Sequence, residues 1–356
     1  MTGPHAADRP DGPRLREHPT ARRRHGLRGL VLLVTSVVAV ASVVVATRST
    51  ADASAPVPHR PLGSGPVYSG DFPDPSVLLV GDRYFAYATQ SGPFHLQVIS
   101  SPDLLHWSAP REALPVLPVW ARSGYTWAPA AAAAPGGGYE LFYAARDRAL
   151  GLQCLGRAVS PTPDGPFVDP SATPFLCQSA LGGSIDPYVL DLGTARYLVW
   201  KSDGANGAPQ QIWSARLGSA DSATVGTPVL LLSATATWEG GVVEGPALVA
   251  TAGGLYLFFS GNRWSTSRYS IGVAGCDSPL GPCAAGNPPE ALSTASGLGG
   301  PGGPTFFEDR SGRELMAFAA WSGTPDTSTG ARELYVTGVD TSGPFPTLVR
   351  LLHPAG

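Results

Sequence analysis

The stretch Asp74-Pro75-Ser76-Val77, followed across a Gly81-Asp82 turn by Tyr84-Phe85-Ala86-Tyr87, sets a pattern that the chain repeats. A proline-containing apolar strand opens each unit. A tight turn, an aromatic-rich strand and a third strand follow. The further openings are Ala128-Pro129-Ala130-Ala131, Asp186-Pro187-Tyr188-Val189, Glu244-Gly245-Pro246-Ala247-Leu248 and Gly303-Pro304-Thr305-Phe306. Their prolines, 75, 129, 187, 246 and 304, stand 54, 58, 59 and 58 residues apart. The second strands are Tyr139–Tyr143, Tyr197–Trp200, Tyr256–Phe259 and Leu315–Phe318, and the third are Leu96–Ser101, Leu155–Ser160, Gln211–Arg216, Ser270–Gly275 and Arg332–Val339. A near-constant period of about 57 residues with three or four strands describes one propeller blade, and five units predict an all-β, five-bladed β-propeller. A β-sandwich is the rival architecture, but it needs no such period.

Composition agrees. Glycine (44) and proline (36) together exceed a fifth of the 356 residues, while charged residues are only 14%. Short strands with many turns fit that balance; coiled coils, helical bundles and disordered chains do not. Other chemistries are excluded by what is missing. None of the seven histidines lies between His106 and His353, no C-x-x-C occurs, and the one lysine, Lys201, is in no phosphate-binding loop. Lys201-Ser202-Asp203-Gly204 reads as a turn after a second strand.

Residues 1–55 form a separate segment. They carry 8 Arg against 4 acids, net +4, with an uncharged apolar run over 29–47 and Ala51-Asp52-Ala53 beyond it. A basic start, an apolar run and small residues describe a secretory signal, yet the run is long enough to span a bilayer as a retained anchor. Either reading puts residues 56–356, the propeller, outside the cell, secreted or membrane-anchored. That remainder has net charge −7 and no basic cluster, which argues against nucleic-acid binding. Export permits disulfides. Local pairing of Cys154 with Cys177 and Cys276 with Cys283 is expected, the alternative being four buried thiols. Nothing signals oligomerisation, so a monomer is expected.

Inner strands of a propeller line one channel, so matched positions at their starts gather at one mouth. Asp74 and Asp186 stand directly before their prolines, Glu244 stands two before its own, and Ala128 and Gly303 fill the other two slots. Singly, such acids are ordinary turn starters. Together they supply what glycosidic cleavage needs: a proton donor and a water-activating base. A third carboxylate would repel the ionised donor and keep it protonated near neutral pH. Acids facing across a channel suit an inverting spacing of about 6.5–9.5 Å.

Phe72-Pro73-Asp74-Pro75-Ser76, Trp127-Ala128-Pro129, Ser184-Ile185-Asp186-Pro187 and Val243-Glu244-Gly245-Pro246 together resemble glycoside hydrolase family 43. The resemblance runs from about residue 67 to 351. It implies a five-bladed propeller acting on arabinans, arabinoxylans or xylosides. It further implies Asp74 as general base, Glu244 as general acid, and Asp186 as the residue that raises the acid's pKa and orients it. Arg332 resembles an arginine that reaches toward substrate in that family. Phe72 and Trp127, beside the inner-strand starts, are candidates for stacking on a sugar, and Trp264 for the pocket rim. Many members carry Gly-Pro-Gly-His in blade five. Here Gly303 stands at the histidine's place, so a calcium site of that kind is doubtful and no metal or other cofactor is expected. The expected activity is inverting hydrolysis of α-L-arabinofuranosyl, or else β-D-xylosyl, linkages in plant polysaccharide or oligosaccharide. The alternatives are a non-catalytic glycan-binding propeller and a retaining, fructan-cleaving one.

Overall fold

The computed structural model describes residues 65–352 apart from 324, 326–329 and 344. The basic segment 1–55, with its apolar run 29–47, lies outside those residues. Among the described residues no helix is long and apolar enough to cross a membrane.

Five antiparallel sheets follow one another in chain order. Blade one holds β1 (Ser76–Val80), β2 (Arg83–Ala88), β3 (Gln97–Ser101) and β4 (Arg111–Glu112). Blade two holds β5 (Ala121–Ala133), β6 (Tyr139–Asp147) and β7 (Gln153–Ser160). Blade three holds β8 (Ser184–Asp191), β9 (Arg196–Ser202), β10 (Gln211–Leu217) and β11 (Thr224–Ser233). Blade four holds β12 (Val243–Thr251), β13 (Gly254–Gly261), β14 (Ser270–Cys276) and β15 (Cys283–Leu292). Blade five holds β16 (Gly299–Glu308), β17 (Glu314–Trp321), β18 (Arg332–Asp340) and β19 (Thr347–Leu351). The repeat read from the sequence is thus the blade of a five-bladed β-propeller. Blade two departs from the others: single bridges at Val168 and Leu176 stand along β7 in place of a fourth strand.

The second strands are apolar on both faces because each sheet is covered from both sides. Tyr84–Ala88 and Leu315–Trp321 are buried residue after residue. Five core clusters result, one between each pair of adjacent blades, including the last with the first. Between blades four and five, Phe258 and Phe306 meet edge to face at 4.9 Å. The ring is closed by the segment before β1. Val67 N–H donates to the Leu334 carbonyl (2.8 Å), Leu334 N–H to Tyr68 (3.1 Å), and Phe72 N–H to Arg332 (2.8 Å). Two disulfides, Cys154–Cys177 and Cys276–Cys283, have the expected local pairing.

Each inner strand is the edge of its own sheet, which is where a proline without an N–H is tolerated. In blades two to five that proline falls in a register shift against the second strand. The residue before it is left-handed in all five blades: Asp74 (φ 54°), Ala128 (42°), Asp186 (54°), Gly245 (53°) and Gly303 (66°). Asp accepts this conformation more readily than most residues and Gly freely. Ala128 adopts it at a cost of about 1–2 kcal/mol. The matched position in blade four is therefore Gly245, and Glu244 is one residue out of phase with the two aspartates. Its longer side chain starts one residue earlier in the bulge.

Candidate active site

All five left-handed residues line one cavity of about 590 Å³ at the inner-strand starts, a volume in the usual range of small-molecule sites. Asp74, Asp186 and Glu244 share its wall with Lys201, Asp203, Tyr269 and Arg332. Trp127, Trp264 and Trp321 supply aromatic surface.

Asp74 is held at both oxygens. Thr89 Oγ1 donates to Oδ2 (2.7 Å) and Arg332 Nη1 to Oδ1 (2.8 Å). Thr89 Oγ1 also accepts from the Ala128 N–H (2.8 Å), so one hydroxyl ties the Asp74 carboxylate to the neighbouring blade. Arg332 is 5% exposed and Asp74 28%. Burial opposes the Arg332 charge, but Asp74, Tyr269 and Glu244 together outweigh it and the guanidinium is held above its ordinary range. Its carbon lies 5.5 Å from the Tyr269 ring centre and 6.0 Å from that of Trp264, both cation–π distances. Arg332 is thus a buried partner of Asp74 rather than a solvated side chain.

Glu244 is 13% exposed and pairs through Oε2 with Lys201 Nζ at 2.9 Å. Asp186 Oδ2 accepts from the Gly245 N–H (2.9 Å) and so fixes the backbone beside Glu244. Burial, then the charge of Glu244, pushes the Asp186 carboxyl up to about 7, with Lys201 opposing and Asp74 adding a little. Lys201 is 4% exposed. Burial works against its charge, yet Glu244 and Asp186 prevail and hold it above the ordinary lysine range. Burial raises the Asp203 carboxyl also, while Lys201 and Arg146 work against the shift.

The structure brings Asp74, Asp186, Glu244, Trp127 and Arg332 together, and leaves Phe72 out. Phe72 is fully buried in the core between blades one and five, edge-on to Tyr68 at 5.5 Å. It belongs to the ring-closing segment, and its backbone bond to Arg332 carries its ring away from the cavity into the interblade core. Lys201 is not in a turn. It lies within β9, paired with Ile185 and Ile212. A lone charge directly after the predicted strand Tyr197-Leu198-Val199-Trp200 was the signal for it. Thr89 and Tyr269 carry no comparable sequence signal. Trp264 does stand at the rim, 46% exposed and stacked on Trp321 at 5.9 Å.

The residues around Gly303 do not fit a metal held from blade five. Gly303 has no side-chain donor, and an added Cβ would lie 3.3 Å from Asp74 Oδ1 and 3.8 Å from Arg332 Nη2. The cation beside Asp74 is the Arg332 guanidinium.

Carboxylates gathered on the inner strands of a propeller, at a cavity with aromatic walls, are the equipment of glycosidic-bond cleavage, and the chain is a glycoside hydrolase. It belongs to glycosyl hydrolases family 43, whose model matches residues 64–342. Over 109 residues it is 31% identical to the extracellular endo-alpha-(1->5)-L-arabinanase of Thermotoga petrophila, a match covering 26% of this chain and 22% of that protein. Among solved structures, it is similar to a thermostable family-43 glycoside hydrolase (TM-score 0.68, 25% identity, 78% of this chain and 92% of that one). It is equally similar to an endo-1,4-beta-xylanase of Bacteroides thetaiotaomicron (TM-score 0.68, 25% identity, 82% and 99%).

Proposed function

We propose that the chain is an exported, inverting glycosidase acting on α-L-arabinofuranosyl linkages, with β-D-xylosyl linkages second, in plant polysaccharide or its oligosaccharides. The observation that carries the reading is the division of the carboxylates into two differently held groups around one cavity. Asp74 is fixed by Thr89 and Arg332. Glu244 sits with Asp186 and Lys201 on blades three and four. In this reading Asp74 takes a proton from water as its oxygen attacks the anomeric carbon. The bond from that carbon to the leaving oxygen breaks, and Glu244 protonates that oxygen. Asp186 holds the strand segment that carries Glu244. Trp127 and Trp264 offer flat apolar faces to the sugar. The names of the arabinanase and xylanase relatives support the sugar class. Extracellular placement is supported by the arabinanase and by the basic and apolar pattern of residues 1–55. The reading takes the protein as a monomer and has no metal step.

Hydrolysis of aryl α-L-arabinofuranoside, aryl β-D-xyloside and arabinan by the wild type and Glu244→Gln tests the reading. We expect the variant to lose most activity on substrates with poor leaving groups, and the first-formed sugar, followed by NMR, to have inverted configuration. Near-wild-type turnover of arabinan by Glu244→Gln would refute the acid assignment. A retained anomer would refute inversion.

A further inference from the structure

The register of the five blades defines a second ring of matched positions. In each blade the residue after the proline pairs with a second-strand residue, and two places further along the chain, within that strand or just past its end, stand Thr89, Ala144, Lys201, Ser260 and Ala319. The polar members reach the next blade. Thr89 accepts from Ala128 N–H, and Ser260 Oγ accepts from Gly303 N–H (2.9 Å). Lys201 alone is charged, and it crosses from blade three to Glu244 in blade four. A structural tie at this position needs only a hydroxyl, as Thr89 and Ser260 demonstrate, and Ala144 and Ala319 manage without one. A buried ammonium carries a desolvation cost that such a tie does not require.

We propose that Lys201 is a positioning residue of the acid: it holds Glu244 by Oε2, leaves Oε1 for the leaving oxygen, and by its charge sets the alkaline limit of activity. This rests on the reading of Glu244 as acid. Glu244 Oε1 has no protein partner among the described residues. The charged groups around the ammonium are Glu244 on β12, Asp186 on β8 and Asp203 just beyond β9, with Arg146 on β6 acting on Asp203. Asp74 also acts on Asp186, and Glu244 is within electrostatic reach of Arg332 and the Tyr269 hydroxyl. Carboxylates so outnumber the ammonium that its removal leaves them to repel one another. Asp186, whose carboxyl Lys201 pulls down against burial and the charge of Glu244, then keeps its proton to higher pH.

Lys201→Met and Lys201→Gln remove the charge, the second keeping an N–H donor, and Lys201→Arg keeps the charge. Two measurements apply to the full chain: the pH profile of kcat on an arabino- or xylo-oligosaccharide, and a carboxyl ¹³C NMR titration, which needs no turnover. We expect the alkaline limb and the carboxyl titration to move up by about one pH unit or more in both neutral variants. In Lys201→Arg they should stay near the wild type. A neutral variant with lower kcat at every pH but an unmoved limb and titration would overturn the proposal, because a structural lysine would behave so. If the titration moves but neither sugar is cleaved by the wild type, the proposed reading of Glu244 as acid on these sugars fails and the assignment of Lys201 to an acid falls with it.

Discussion

Replacing Thr89 by Val keeps the side-chain shape and deletes one hydroxyl, which the structure places in two bonds across a blade boundary. The bond to the Asp74 carboxylate is charge-assisted, and such bonds contribute about 1.5–3 kcal/mol. The Ala128 N–H loses its acceptor, and a stranded buried donor costs about 1–3 kcal/mol. Thr89 is half-buried and Asp74 keeps 28% exposure, so cavity water compensates in part and the lower ends apply. The sum is about 2–3 kcal/mol, read by urea denaturation, or a fall of roughly 3–5 °C in Tm for a domain of this size. The bond to Asp74 also aims the proposed base. Losing about 1.4 kcal/mol of that alignment in the transition state lowers kcat/KM about tenfold. Thr89→Ser, which restores the hydroxyl, should recover most of both losses. A double-mutant cycle with Asp74→Asn isolates the pair, and its coupling energy should account for about half of the stability loss. If Thr89→Val costs under about 0.5 kcal/mol and leaves kcat/KM unchanged, the hydroxyl does not position Asp74 and the reasoning fails.

Asp186→Asn should abolish activity yet stabilise the fold in a pH-dependent way. The folded-state pKa of Asp186 is raised to about 7, so its stability cost is absent below the ordinary carboxylate range, grows as pH rises, and is complete above about 7. The Tm gain of the variant should therefore be larger at pH 8 than at pH 4, and an equal gain at both would contradict the burial of this charge. Incubation with EDTA should leave hydrolysis unchanged, and Gly303→His should lower it by displacing Asp74 and Arg332. Loss of activity in EDTA that added calcium restores would refute the metal-free reading.

The fold was legible because a propeller writes its period into the chain. Two constraints recur in every blade: a proline at the bulged inner edge, and a second strand buried on both faces. Both leave apolar or proline signatures at fixed phase, which is why the second and third strands fall where the spacing puts them. The missing fourth strand of blade two left no such trace, since outer strands are held by local pairing rather than by a shared core. The carboxylates were legible as a set, but the phase of Glu244 was not. Glu-Gly-Pro and Asp-Pro look alike as turn starters, and only the left-handed φ of Gly245 reveals the one-residue offset. Phe72 stands next to Pro73 in sequence as an apparent cavity residue. Its burial is decided by the ring-closing bonds to β18, more than 250 residues away, which no local pattern carries.

The two matched rings explain how a symmetric scaffold yields an asymmetric site. The left-handed ring places whatever side chain stands before each proline at the cavity, and the bulge demands only a residue that accepts positive φ. Asp, Ala and Gly all meet that demand, so carboxylates can be present in blades one and three and absent elsewhere without refolding the blade. The second ring supports the first from the preceding blade. Thr89 supports blade two, Lys201 blade four and Ser260 blade five, each through its first atoms or its one charge. Where the second ring holds Ala144 and Ala319, the next blades are three and one, which carry Asp186 and Asp74. Those aspartates are held from elsewhere, Asp186 by Gly245 N–H and Asp74 by Thr89 and Arg332. A polar residue where Ala144 or Ala319 stands would add a group beside a carboxylate already committed to its partners. The small residues there keep Asp186 and Asp74 answering to blades four and five, the neighbours that also carry Glu244 and Arg332.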